Sequence, residues 1–290
     1  MKITYIGTAA SEGLPALFCQ CPVCADARRR LGREFRGRSG ICVNDRLLVD
    51  FPPDIYYGAA RAGVDLSAIE DIVVTHAHED HFDPYELSTR REPVYCKRER
   101  SGIDKLHVYG NMRAGELLDC YVSGAGSGHG EQNGLVFDYQ PSFEPIETAA
   151  GVTVTMLPAD HDKGQECRMM LLCERETGKT FLYGHDTGLF PKETVEFLRG
   201  KHCDLISLDC TNVLLGDAND RNHMGLAADL HMRDILIENE TADDSTRFIV
   251  HHFSHNGFVP NGKYCPQSEF EQTAAAHGFT MAYDGMQIEI

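Results

Sequence analysis

The chain has 290 residues, 42% hydrophobic and 24% charged, the balance of a globular protein in water and a length one large α/β domain can reach. Acidic residues outnumber basic ones by 44 to 27, for a formal net charge of -17. That balance argues against a broad nucleic-acid footprint, which needs clustered Lys and Arg. No apolar run approaches the ~20 residues that cross a bilayer, and Met1–Gly7 enters a strand pattern without the apolar core of a signal peptide. A cytoplasmic location with no membrane partner is therefore expected. Eleven cysteines, an odd number in such a chain, argue against a disulfide framework.

In chain order, KITYIG (2–7) alternates as a strand does. Cys19-Gln20-Cys21-Pro22-Val23-Cys24 follows in a loop, and the basic stretch from Arg28 to Arg38 reads as a solvated helix face. RLLVD (46–50) is a strand ending in Asp50, Asp54 to Arg61 a short helix, and IVVT (72–75) another strand. The glycine-rich run GAGSGHGEQNG (124–134) predicts a mobile loop. Then come strands VTVTML (152–157), TFLY (180–183) and LISL (205–208), which resemble the three early strands in the same order. Helices are predicted at Pro191 to Arg199, with Gly200 just beyond, at Leu226 to Glu238, and at Gln267 to His277, stopped by Gly278. Phe248-Ile249-Val250 is the last strand of the series. Cys42, Cys173 and Cys203 lie in or beside strand-like runs, where a thiol acts as a small buried hydrophobe. Strands alternating with helices imply an α/β layered fold, and no linker divides residues 1–290, so one domain is expected.

Chemistry gathers where these strands end, as expected for an open α/β fold. His76-Ala77-His78-Glu79-Asp80-His81 places three histidines and two acids in six residues directly after a buried strand. Alternate residues of a compact turn face one way, so His76 and His78 can hold one ion while Asp80 and His81 reach another. Imidazole and carboxylate donors suit Zn, Mn or Fe, and the absence of thiolate leaves such ions Lewis-acidic. Further donors must come from distant strand ends, where His161, Asp186, His251, His252 and His255 are the candidates.

The pattern H-x-H-x-D-H, then a distant His, an Asp and a final His, resembles the metallo-β-lactamase superfamily. The resemblance implies an α/β fold, the αββα sandwich, with one metal site of His76, His78 and His161. A second would be Asp80, His81 and His252, with Asp186 bridging both ions and Asp50 orienting a ligand histidine. His185 and Glu79 have no role in that pattern and are neighbours only.

Further motifs run from Gly7-Thr8-Ala9-Ala10-Ser11-Glu12-Gly13-Leu14-Pro15 through the cysteine cluster. They continue with Asp209-Cys210, Arg221-Asn222-His223, His252-Phe253-Ser254-His255 and Tyr283-Asp284-Gly285-Met286. Together they resemble the phosphoribosyl 1,2-cyclic phosphate phosphodiesterases, the PhnP-like group. Residues 85–145 carry little of this likeness, and substrate specificity could diverge there.

In that group three cysteines and a histidine hold a structural zinc, here Cys19, Cys21, Cys24 and His255, a closed Cys₃His set. The resemblance further implies hydrolysis of a small cyclic phosphodiester by a hydroxide held between two divalent ions (Mn or Zn, or Fe), with Asp186 and His223 as catalytic residues. His223 would bind the phosphoryl oxygen or protonate the leaving alkoxide. The partner would be a small cyclic phosphate, with the oligomeric state open and a homodimer one option. Alternatives within the fold are hydrolysis of a lactone, thioester or β-lactam, an oxygen-reducing diiron protein, and metal binding without turnover. His78 stands where the diiron relatives carry Glu, which argues against the redox reading.

Overall fold

A computed structural model describes residues 1–98, 102–123 and 134–290; most of the glycine-rich run, 124–133, lies outside these. The strands are β1 (Lys2–Gly7), β2 (Gly40–Val43), β3 (Leu47–Val49), β4 (Asp71–Val73), β5 (Leu106–Gly110), β6 (Leu135–Tyr139) and β7 (Pro145–Glu147), then β8 (Val152–Pro158), β9 (Arg168–Glu174), β10 (Thr180–Gly184), β11 (Leu205–Asp209), β12 (Arg247–His251), β13 (Phe279–Met281) and β14 (Gln287–Glu289). They form two seven-stranded sheets, in the orders β14-β1-β2-β3-β4-β5-β6 and β7-β8-β9-β10-β11-β12-β13.

The two sheets are built alike. Along each, the first three pairings are antiparallel and the last three parallel. The repeat legible in the sequence is thus a repeat of topology: β1, β3 and β4 correspond to β8, β10 and β11. Side chains alternate across each sheet, and both inner faces are apolar. Ile3, Tyr5, Ile41 and Val49 meet Val154, Met170, Leu172 and Phe181 in a core between the sheets.

Helices cover the outer faces. α1 (Pro22–Arg30), α2 (Ile55–Ala62), α3 (Met112–Leu118), α4 (Lys192–Leu198), α5 (Leu226–Glu238) and α6 (Gln267–Ala276) complete an αββα sandwich. Ile55 and Ala59 of α2 and Ala114 of α3 pack on Leu48, Ile72 and Val108. Leu198, Met232, Leu236 and Phe270 of α4–α6 pack on Leu182, Ile206 and Val250. Among the described residues no helix is long and apolar enough to cross a membrane.

Two readings of the early chain need correction. The helix in the basic stretch ends at Arg30, and Arg36 is buried, not solvated. Its guanidinium donates to Thr8 Oγ1, Gln267 Oε1 and the Ala282 carbonyl, which satisfies a charge that isolated burial would make costly. Nor are all three clustered cysteines in a loop: Cys21 caps α1, its sulfur accepting from the Cys24 N–H, and Cys24 sits in the first turn. All eleven cysteines are free, and Cys42 and Cys203 are buried as expected, while Cys173 is half-buried.

Candidate metal centre

Parallel strands deliver their carboxyl ends to one edge of the sandwich, and the chemistry collects there. Asp50 follows β3, His76 to His81 follow β4, and His161 follows β8. Asp186 follows β10, Asp209 ends β11 and His252 follows β12. Asp50, Asp186 and His252 carry positive φ angles of 67°, 52° and 67°. Such left-handed backbone costs of the order of 1–3 kcal/mol per residue and clusters at functional sites.

Among the described residues four donor groups form, the donor atoms in each lying within 4.8 Å of one another: His76, His78 and His161; Asp80, His81, Asp186 and His252; Cys19, Cys21, Cys24 and His255; and Asp186, Asp209, His223 and His252. In the first, His76 Nε2 is 2.9 Å and His161 Nε2 is 3.2 Å from His78 Nδ1. A shared proton satisfies one such pair; a cation suits all three lone pairs at once. Asp186 lies between the histidine groups. Its Oδ2 is 2.8 Å from His81 Nε2 and 3.3 Å from His76 Nε2, and its Oδ1 is 2.8 Å from His252 Nε2. The one carboxylate is thus within reach of nitrogen donors from both histidine groups at once.

The histidines are held from behind. The fully buried Asp50 accepts the Thr75 N–H on Oδ1 (2.8 Å), and its Oδ2 lies 2.6 Å from His81 Nδ1, so His81 turns Nε2 inward. Thr211 Oγ1 is 2.7 Å from His252 Nδ1, and the Asn222 carbonyl is 3.2 Å from His161 Nδ1. His78 alone is reversed: Nδ1 faces inward and Nε2 lies 3.2 Å from Asp162 Oδ2.

The electrostatics follow from burial and from the carboxylates. Burial holds His76 and His161 below the ordinary imidazole range. Burial also opposes charge on His81 and His252, but the Asp186 and Asp80 carboxylates win; His81 is held well above the ordinary value and His252 is pushed up to about 10. For Asp186 burial disfavours the anion, yet His252 and His81 hold its carboxyl well below the usual range. A cation binding here would displace the protons of His81 and His252, since imidazole ligates only in its neutral form.

His223 is in neither of the first two groups and belongs to the fourth, which shares Asp186 and His252 with the second. Its Nδ1 is 2.9 Å from Asp209 Oδ2 and 3.8 Å from Asp186 Oδ1. Burial opposes its charge, but Asp209 raises its pKa. Asp209 is fully buried and accepts the backbone N–H groups of Thr187, Thr211 and Met224. Asp209 and Thr211 were missed as site residues, although Asp209 obeys the strand-end rule that located Asp186. The His223 loop packs closely on the Asp186 turn at Gly188, where a Cβ would lie 2.5 Å from the Asp220 carbonyl oxygen.

In the thiol group, Cys19 Sγ and Cys21 Sγ are 3.6 and 3.3 Å from His255 Nδ1. The Cys21 N–H lowers the pKa of Cys19, while burial pushes Cys24 up to about 12. Arg28 donates to the carbonyls of Ala16 and Cys19, fixing the loop. His185 joins no donor group; it is buried, and neither ring nitrogen has a hydrogen-bond partner among the described residues. His251 is likewise no donor here, its Nε2 donating to the Gly7 carbonyl at 3.3 Å. Glu79 is exposed.

Residues 45–242 match the family model described as the β-lactamase superfamily domain. The chain belongs to the β-lactamase superfamily. Among curated relatives of this superfamily member, coenzyme PQQ synthesis protein B of Methylobacterium radiotolerans is 26% identical over 170 residues, 54% of this chain and 52% of that protein. The octanoyltransferase of Porphyromonas gingivalis is 31% identical over 85 residues, 28% of this chain and 16% of that protein. The chain thus spans about half or less of the length of these relatives. Two solved structures share the metallo-β-lactamase fold over the whole chain. One is a diphosphatase of the PhnP family (TM-score 0.72, 22% identity, 96% of that chain). The other is zinc-bound PqqB of Methylobacterium extorquens (TM-score 0.73, 18% identity, 100% of that chain).

Proposed function

We propose that this β-lactamase-superfamily chain is a metal-dependent phosphodiesterase acting on a small cyclic phosphodiester of the phosphoribosyl 1,2-cyclic phosphate type. One observation carries the reading: the Asp209-held His223 faces Asp186 from outside the two histidine donor groups. A histidine so placed is free to act on substrate. His76, His78 and His161 would hold one divalent ion and Asp80, His81 and His252 another, with Asp186 between them; Cys19, Cys21, Cys24 and His255 would hold a structural zinc. When bound, the catalytic ions supply Lewis acidity and a water ionised near neutral pH.

The chain's own residues do the rest. Asp50, Thr211 and the Asn222 carbonyl fix the ring orientations of His81, His252 and His161. With Nδ1–H donated to Asp209, His223 keeps Nε2 for the substrate, and its raised pKa keeps a proton there. That proton passes to the departing alkoxide as the P–O bond breaks, a step of a kind typically worth about 10²–10⁴ in rate. Asp209 stabilises the imidazolium until transfer. A phosphoanhydride is the second reading, favoured by the diphosphatase description of a PhnP-family structural neighbour; its bond also breaks at phosphorus.

The test is a substrate panel on metal-supplemented protein: cyclic ribose phosphates, bis-p-nitrophenyl phosphate and a diphosphate, against a lactone, a thioester, nitrocefin and oxygen uptake. Turnover of the cyclic phosphates above all others is expected. Preference for a carbonyl substrate, or oxygen consumption, would overturn the reading.

A further inference from the structure

His78 is the one histidine of its donor group that turns Nδ1 inward, and its far nitrogen meets a carboxylate that is itself held. Asp162 Oδ1 accepts the Gly164 N–H at 2.8 Å, and Oδ2 accepts Gln165 Nε2 at 3.3 Å while lying 3.2 Å from His78 Nε2. Gln165 then reaches back to the turn itself: its Oε1 accepts the N–H of Ala77, between the two histidines, at 2.8 Å. The same oxygen accepts Asn111 Nδ2 at 3.2 Å. Asn111 is buried and donates also to the Glu166 carbonyl at 2.7 Å, while its Oδ1 caps α3 through the Ala114 N–H at 2.9 Å. It follows β5 as His252 follows β12, the corresponding strand of the other sheet.

We infer that Asp162, braced by Gln165 on Asn111, is a positioning residue that keeps the His78 proton on Nε2 and so turns Nδ1 toward the cation. The inference rests on the reading of His76, His78 and His161 as metal ligands. An imidazole can present only one lone pair when neutral, and which nitrogen does so is set by the acceptor at the other. Without an acceptor at Nε2, the ring is free to protonate at Nδ1 or to rotate. Gln165 ties Asp162 to the backbone of the histidine turn, so the acceptor and the backbone that carries the His78 ring are fixed by one side chain. Asp50 does the corresponding work for His81 from a fully buried position. The Asp162 side chain is 37% exposed, so water competes for His78 and the effect of its loss belongs at the lower end of the range for such partners, about tenfold of the 10–100-fold seen.

The experiment compares wild type, Asp162→Ala and Asp162→Asn, all stripped with chelator. Zinc(II) is titrated against a chromophoric competitor, and cobalt(II) spectra separate the thiolate site from the histidine sites. Asp162→Ala should lose about tenfold in affinity at one histidine site, with an altered cobalt band there. The thiolate site and the melting temperature of the metal-free protein should stay unchanged. Asp162→Asn, which can keep an acceptor oxygen toward His78 only by turning its amide toward the Gly164 N–H, should recover part of the affinity, a rescue that a merely structural role would not require. Affinity in Asp162→Ala within twofold of wild type would overturn the inference, as would Asp162→Asn as weak as Asp162→Ala. Wild-type protein that takes up no zinc at its histidine sites would instead overturn the metal reading beneath it.

Discussion

His223 Nδ1 lies 2.9 Å from Asp209 Oδ2, and that pair joins a half-buried ring to a fully buried carboxylate that three backbone N–H groups already anchor. The ring is therefore held by Asp209, outside the two histidine groups that would carry the catalytic ions. Catalysis and metal binding should come apart when it is removed.

His223→Ala should retain its fold and its full metal content while losing phosphodiesterase turnover by about 10²–10⁴-fold. The loss should shrink for p-nitrophenyl esters, whose leaving group needs no proton. Equal losses on good and poor leaving groups would assign His223 to binding the phosphoryl oxygen. Undiminished activity on both would remove it from the mechanism.

Asp209→Asn should move the alkaline limb of the kcat profile. Asp209 raises the pKa of His223 against the effect of burial, so the imidazolium persists above the ordinary value of about 6.5. Turnover that requires this proton is present below the His223 pKa and falls as pH rises through it. Removing the carboxylate charge lowers that pKa, so the limb should shift to lower pH. A limb that stays in place would assign it to another group.

Metal content should reach three ions per chain after supplementation, one resisting mild chelation at the cysteines and two lost together with activity. Elemental analysis before and after chelator treatment measures this. No more than one ion per supplemented chain would sink the two-ion reading.

Cys21→Ser removes a donor 3.3 Å from His255 Nδ1 and the sulfur that caps α1. Zinc content and melting temperature should both fall. The drop should be smaller than the roughly 10–16 kcal/mol by which zinc folds isolated fingers, because two apolar clusters pack the sheets independently of α1. Retention of zinc and stability would leave the cysteines with no shared role.

By itself the sequence determined the strand series and the turn after β4. Alternating apolar residues in KITYIG and VTVTML, and the crowding of His76, His78, Asp80 and His81 after Ile72-Val73-Val74, are local patterns that report burial and chemistry directly. The recurrence of three strand patterns in the same order is matched by two sheets of one topology. Tertiary structure alone decided how those donors are held. Asp209 meets His223 across 14 residues, Asp162 meets His78 across 84 and Arg36 meets Gln267 across 231. No periodicity marks such pairs, because each joins segments that only the folded chain brings together. Burial of Arg36 within a basic stretch shows the limit most plainly: charge patterning records the residue type, while the acceptors that permit its burial, Thr8, Gln267 and the Ala282 carbonyl, are distant in sequence. The reversal of His78 has the same origin, since which imidazole nitrogen faces inward is set by an acceptor that only the folded β8–β9 connection supplies.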